Sequence, residues 1–200
     1  MSQSKASPDC RVRLRYLPSP HRDARPASAR IDLLVVHAIS LPPGQFGGRA
    51  IDDLFLGRLD PSAHPYFKGV AKLKVSAHFL INRQGEVTQY VPVMKRAWHA
   101  GISRWQGRRG CNDFSVGVEL EGDERTPFTK IQYMMLAGLV RTLQTRLIHL
   151  RDEAIVGHQH IAPERKWDPG PLFDWSVLRW WLAASAMPPQ PLAWPLIWEE

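Results

Sequence analysis

Residues 31–37, IDLLVVH, form an apolar run rich in β-branched residues that stops at a histidine, with a Pro42-Pro43-Gly44 turn close behind. So short a run suits a strand covered on both faces better than a helix. It predicts a buried strand that delivers His37 to the edge of a sheet. Ser115–Glu121, SVGVELE, behaves differently, because Val116, Val118 and Leu120 alternate with Gly117, Glu119 and Glu121. A strand with this pattern turns Glu119 away from its apolar face. Between the two runs, residues 78–82 and 87–91 read as strands joined by Arg83-Gln84-Gly85-Glu86, a hairpin signature.

Helical spacing appears where the strands stop. Thr129 followed three residues later by Gln132 resembles a capping box, and Ile131, Met135, Leu139 and Leu143 recur every fourth residue after it. With Leu136, Val140 and Leu147 alongside, this predicts the longest helix, to about Leu150; Met134 and Met135 belong to its core face. Residues 49–59 carry a shorter helical pattern at Ile51, Leu54 and Phe55, residues 154–158 read as a last strand, and Asp174 can cap a closing helix from Trp175 to about Ala184. Without a regular strand-helix-strand repeat, the expected class is α/β with a mixed central β-sheet flanked by α-helices. Two hundred residues suit one domain. Its expected limits are 31–186, after an extended Arg-, Pro- and Ser-rich arm at 1–30 that packs partly on the domain and before an irregular Pro-rich tail at 187–200.

Composition narrows the function classes. With 44% apolar and 22% charged residues the chain can bury a core, which excludes wholesale disorder. No apolar run approaches the roughly 18 residues of a membrane span, and the N-terminus lacks a signal-peptide core. A cytoplasmic protein without a membrane partner is expected. Cys10 and Cys111 read as free thiols of a reducing compartment. The net charge of +7 attracts anions, yet the basic residues are scattered, so a phosphate or carboxylate ligand explains it as well as nucleic acid, which is not an expected partner. A monomer is the favoured state.

Residues 157–171, GHQHIAPERKWDPGP, place His158, Lys166 and Asp168 on what must be a loop, because Pro163, Pro169 and Pro171 forbid a continuous helix. With His37 they make a set of two nitrogens and one oxygen, the ligand chemistry of a catalytic zinc with one open position. Spacing alone selects weakly, because HEXXH is absent and eight histidines can be combined in many ways.

Four stretches, VVHAISLPPGQFGG, VSAHFLINRQGEVTQYVPVMKRAWHAG, CNDFSVGVELEG and GHQHIAPERKWDPGP, together resemble the AmpD family of bacterial N-acetylmuramoyl-L-alanine amidases across about residues 31–181. The resemblance implies the amidase and peptidoglycan-recognition type of fold. It also implies a zinc hydrolase that cleaves the amide between the lactyl group of 1,6-anhydro-N-acetylmuramic acid and L-Ala in cytoplasmic cell-wall recycling. On this sequence the implied metal ligands are His37, His158 and Asp168, with Glu119 and Lys166 catalytic. The resemblance breaks at Ala38, where the family has Asn, and at Trp167, where it has a smaller polar residue. Trp98 and His99 are candidates for lining the substrate cleft, against simple core packing. Arg108, Arg109 and Arg165 are candidates for reading stem-peptide carboxylates. The remaining histidines, including His64, His78, His149 and His160, are expected to be structural or superficial. A binding module of the same fold that does not cut is the rival reading, and the presence of all five implied residues argues against it.

Overall fold

The structure, a computed structural model, describes residues 14–184 and 195–199. Cys10 and most of the Pro-rich tail lie outside the described residues. At the centre of the main sheet, β3 (Leu33–Ile39) runs parallel to β9 (Ser115–Glu121), flanked by β4 (Phe79–Ile81) and β10 (Ile155–Gly157), both also parallel to their neighbours. β5 (Val87–Gln89) returns antiparallel to β4 as the expected hairpin. The unbroken apolar run of β3 follows from its place: Leu33, Leu34, Val35 and Val36 are fully buried, two on each face.

One face carries Leu34, Val36, Val116, Val118 and Leu120 and packs against α3 (Lys130–Gln144) and α5 (Trp175–Ala183). The other carries Leu33, Val35 and Leu80 beneath α1 (Ala50–Phe55), α2 (Phe67–Val70) and the loops around Cys111. The capping box forms: Thr129 Oγ1 accepts from the Gln132 amide, and Gln132 Oε1 accepts from the Thr129 amide at 3.0 Å. Gln132 Nε2 also donates to Glu121 O at 2.9 Å, which ties the helix start to the end of β9. Asp174 caps α5 as expected.

Helix α3 stops at Gln144, short of the expected Leu150. The leucines beyond it are still buried in the core, carried there by turns in which Leu147 N–H donates to Leu143 O and Leu150 N–H to Leu147 O. Periodicity continued because the core did, although the helix did not.

Of the stretch expected as an arm, residues 14–25 are built into the domain. β1 (Leu14–Tyr16) pairs in parallel with β5 at the sheet edge, and β2 (Arg22–Ala24) pairs antiparallel with β6 (Lys95–Ala97). Arg25 then drives its guanidinium inward and donates to Asn112 O, Asp113 O, Val93 O and Ser115 O at 2.8–3.2 Å. Burial lowers its pKa to about 10. Within the tail, Leu196 reaches the core and Ile197 exchanges hydrogen bonds with the Gln89 amide. Arg25→Met should therefore cost about 2–4 kcal/mol, because four carbonyls lose a charged donor while the side-chain volume is kept. Urea unfolding followed by circular dichroism checks this; a change under 0.5 kcal/mol would mean that water replaces the guanidinium.

Candidate active site

His37 and Glu119 are register partners across β3 and β9, so both project from the same face near the C-terminal ends of neighbouring parallel strands. This is the face opposite the α3 core. Glu119 thus points away from the apolar side, as its alternation predicted, but it is 9% exposed rather than solvated. β10 ends beside β3, and His158 follows as the first residue of the one-turn helix α4 (His158–Ile161), where the sequence suggested a loop. A Cβ on Gly157 would lie 2.6 Å from Pro169 Cδ. Glycine there lets the returning segment lie against the strand end, and Gln159 N–H secures it by donating to Asp168 O at 2.9 Å.

Three ligand atoms meet as a result. His37 Nδ1 lies 2.9 Å from His158 Nδ1 and 3.0 Å from Asp168 Oδ2, and the third side of the triangle is 3.1 Å. All three residues are buried. The surrounding bonds assign the protons. His158 Nε2 faces Ala100 O at 3.1 Å, and a carbonyl can only accept, so Nε2 carries the hydrogen and Nδ1 a lone pair. Ser115 donates its hydroxyl to Cys111 O at 2.6 Å and so accepts from His99 Nε2 at 3.2 Å; His99 Nδ1 then accepts from His37 Nε2 at 2.9 Å. His37 Nδ1 is therefore a lone pair as well.

Burial lowers the His37 pKa to about 4, which keeps the ring neutral. Two imidazole nitrogens and a carboxylate oxygen converge, and in the tautomer with the proton on Nε2 of each ring no hydrogen lies between them. That donor set fits a metal cation, and its edges are within a few tenths of an ångström of the roughly 3.3 Å expected for tetrahedral zinc with 2.0–2.1 Å bonds.

A cavity of about 280 Å³ opens over the triad, with Glu119, Lys166, Trp98 and Trp167 in its lining. Glu119 Oε2 is buried without a hydrogen-bond partner. Burial pushes its carboxyl well above the usual range, the charge of Asp168 adds to this, and Lys166 opposes it. A second cavity of about 480 Å³ adjoins the first; Ala38, Ile39, Ser40, Tyr66 and Trp167 line both, and Asp123 and Arg125 line only the second. Ala38 and Trp167, the departures that the sequence suggested, thus share one wall.

The expected periphery is only partly assembled. Trp98 lines the cavity and stacks on His21, with ring centroids 6.0 Å apart. His99 also lines the cavity, as the sequence suggested, but its two ring nitrogens are engaged by His37 Nε2 and Ser115 Oγ. Arg108 pairs with Asp32 at 2.8 Å and stacks on Phe114, while Arg165 donates to Ala100 O and Ile102 O. Arg165 and Arg109 line a separate groove with Arg104, so none of the three expected arginines lines either cavity beside the triad. His78 is structural as expected, its Nδ1 accepting from Gly117 N–H at 3.0 Å. Tyr66 was not anticipated as a wall residue; it sits in a segment without periodicity, and no local signal marks it.

Residues 27–171 match the family described as N-acetylmuramoyl-L-alanine amidase. Over 175 residues the chain is 56% identical to the 1,6-anhydro-N-acetylmuramyl-L-alanine amidase AmpD of Enterobacter cloacae, spanning 88% of this chain and 93% of that protein. A crystal structure of a selenomethionine derivative of AmpD superposes with a TM-score of 0.81 at 57% identity, covering 83% of this chain and 92% of that one. AmiD from Escherichia coli, solved with the substrate anhydro-N-acetylmuramic acid-L-Ala-D-γ-Glu-L-Lys, superposes at 0.55 with 31% identity, covering 78% of this chain and 59% of that one. Sequence and fold agree along most of both lengths, and the chain belongs to the N-acetylmuramoyl-L-alanine amidase family.

Proposed function

We propose that this protein is a zinc hydrolase that cleaves the amide between the lactyl group of 1,6-anhydro-N-acetylmuramic acid and L-Ala of the stem peptide, in cytoplasmic recycling of cell-wall fragments. The observation that carries the reading is the convergence of two imidazole nitrogens and a carboxylate oxygen beneath a cavity that also holds Glu119 and Lys166. The AmpD and AmiD names above supply the substrate class.

His37, His158 and Asp168 would hold the zinc, which when bound supplies Lewis acidity to polarise the amide carbonyl and to acidify water. Glu119, raised in basicity by burial, takes the proton of the attacking water and hands it to the departing nitrogen. Lys166 places its cation near the carbonyl oxygen as negative charge builds there. Water adds to carbon, the C–N bond breaks, and the products are a lactyl carboxylate and a free peptide amine. The rival, binding without cutting, leaves no role for an unpartnered buried carboxylate beside the ligand triad.

Wild-type protein should contain one zinc per chain, and His158→Ala should lose it; elemental analysis of both settles the point, and retention of metal by the variant would remove His158 from the ligand set. Glu119→Gln should keep its zinc yet lose about 10²-fold or more in kcat on an anhydro-muramyl tripeptide, the usual size of a general acid-base contribution. Mass spectrometry of released peptide measures it, and near-normal turnover would pass the proton-transfer role to another group. Ala38→Asn should restore the family's donor at the shared cavity wall and raise kcat/KM by roughly 2- to 12-fold, the worth of one net hydrogen bond. A loss instead would show that Trp167 and Ala38 are packed together for a different ligand shape.

A further inference from the structure

We infer that His99 is a positioning residue of the metal centre, which selects the tautomer of His37 and holds its ring by accepting a hydrogen bond from His37 Nε2 while Ser115 Oγ fixes its own tautomer. The inference rests on the proposed reading of His37, His158 and Asp168 as metal ligands.

The proton order runs in one direction only. Cys111 O accepts from Ser115 Oγ at 2.6 Å, so the serine has no proton left for His99 and must accept from it. His99 Nδ1 is then bare and takes the Nε2 proton of His37 at 2.9 Å. Reversing that bond would put the proton of His37 on Nδ1, inside the triangle formed with His158 Nδ1 and Asp168 Oδ2, where a cation could no longer be bound. Both nitrogens of His99 are thereby committed, which leaves neither for the substrate contact that the sequence suggested.

The surroundings are shaped for this ring. A Cβ at Gly117 would lie 2.4 Å from His99 Cγ, so only glycine at that position of β9 admits the imidazole against the strand. The two rings meet edge to face, with centroids 5.0 Å apart at 84°. Asn112 Oδ1 accepts from the His99 amide at 3.1 Å and from the Ala100 amide at 2.7 Å. Ala100 O in turn accepts from His158 Nε2. One dipeptide therefore supplies the outer partner of both imidazole ligands, with a side chain for His37 and a carbonyl for His158, and a single asparagine clamps it.

The test is zinc affinity, measured by competition with a chromophoric chelator on full-length wild type, His99→Leu, His99→Asn and Ser115→Ala, each shown by circular dichroism to be folded. Long-range ¹H–¹⁵N spectra of the imidazoles supply the tautomer. Outer-shell partners of this kind are typically worth 10- to 100-fold in metal affinity. His99→Leu should fall by about that factor. His99→Asn, whose Oδ1 can stand where Nδ1 stood, should recover most of it. Ser115→Ala should give a smaller loss, and wild-type His37 should carry its proton on Nε2. Equal affinity for wild type and His99→Leu, no difference between the Leu and Asn variants, or a His37 proton on Nδ1 would each overturn the positioning role. A wild-type protein that binds no zinc at all would instead overturn the ligand reading beneath it.

Discussion

The parallel pairing of β3 with β9 is the constraint from which the rest of the site follows. Register places His37 opposite Glu119, and parallel pairing puts their side chains on one face. A slip of one residue would turn either group into the apolar layer beneath α3, where a carboxylate or imidazole would be desolvated without a partner. Register is held by burial on both faces, since Leu34, Val36, Val116 and Val118 lock against α3 while Leu33 and Val35 pack on the other side. The fold thus spends its most rigid element on its two most chemically demanding residues.

Two glycines convert that rigid face into a closed site. Gly117 admits His99 against β9, and Gly157 admits Pro169 against the end of β10. Each allows a segment distant in sequence to approach the sheet more closely than any Cβ permits. The first approach brings up the support behind His37, and the second brings in Asp168. The N-terminal strands share in this arrangement. Arg25 binds the carbonyls of Asn112, Asp113 and Ser115, the segment that clamps and orients His99, so chain outside the expected domain limits braces the interior of the site.

Buried side-chain polar atoms among the described residues are satisfied almost completely, and one of the few exceptions falls where chemistry is proposed. Among the described residues the unpartnered buried side-chain atoms are Arg25 Nε, Arg83 Nη1 and Glu119 Oε2. Both arginines donate through their other nitrogens, whereas Glu119 faces the cavity over the ligand triad. A carboxylate left with acceptor capacity beside a cation-ready triangle is poised to receive a proton. Ala38 and Trp167 line the same cavity wall.

From the sequence alone the strands at 31–37, 78–82, 87–91 and 115–121, the capping box at Thr129 and the cap at Asp174 could be read, because each is written in local periodicity or in a short-range hydrogen bond. The choice of His37, His158 and Asp168 among eight histidines came from resemblance rather than spacing, since ligands 121 and 10 residues apart leave no local trace. Tertiary structure alone decided the end of α3, the incorporation of residues 14–25, the engagement of Arg108 and Arg165 away from the cavity, and the commitment of both ring nitrogens of His99, a cavity-lining residue, to His37 and Ser115. The physical reason is common to all four. Alternation tells which face of a strand is polar, but whether that face meets water or a covered cavity depends on what distant chain folds over it, and here that cover is residues 98–114 and 157–170.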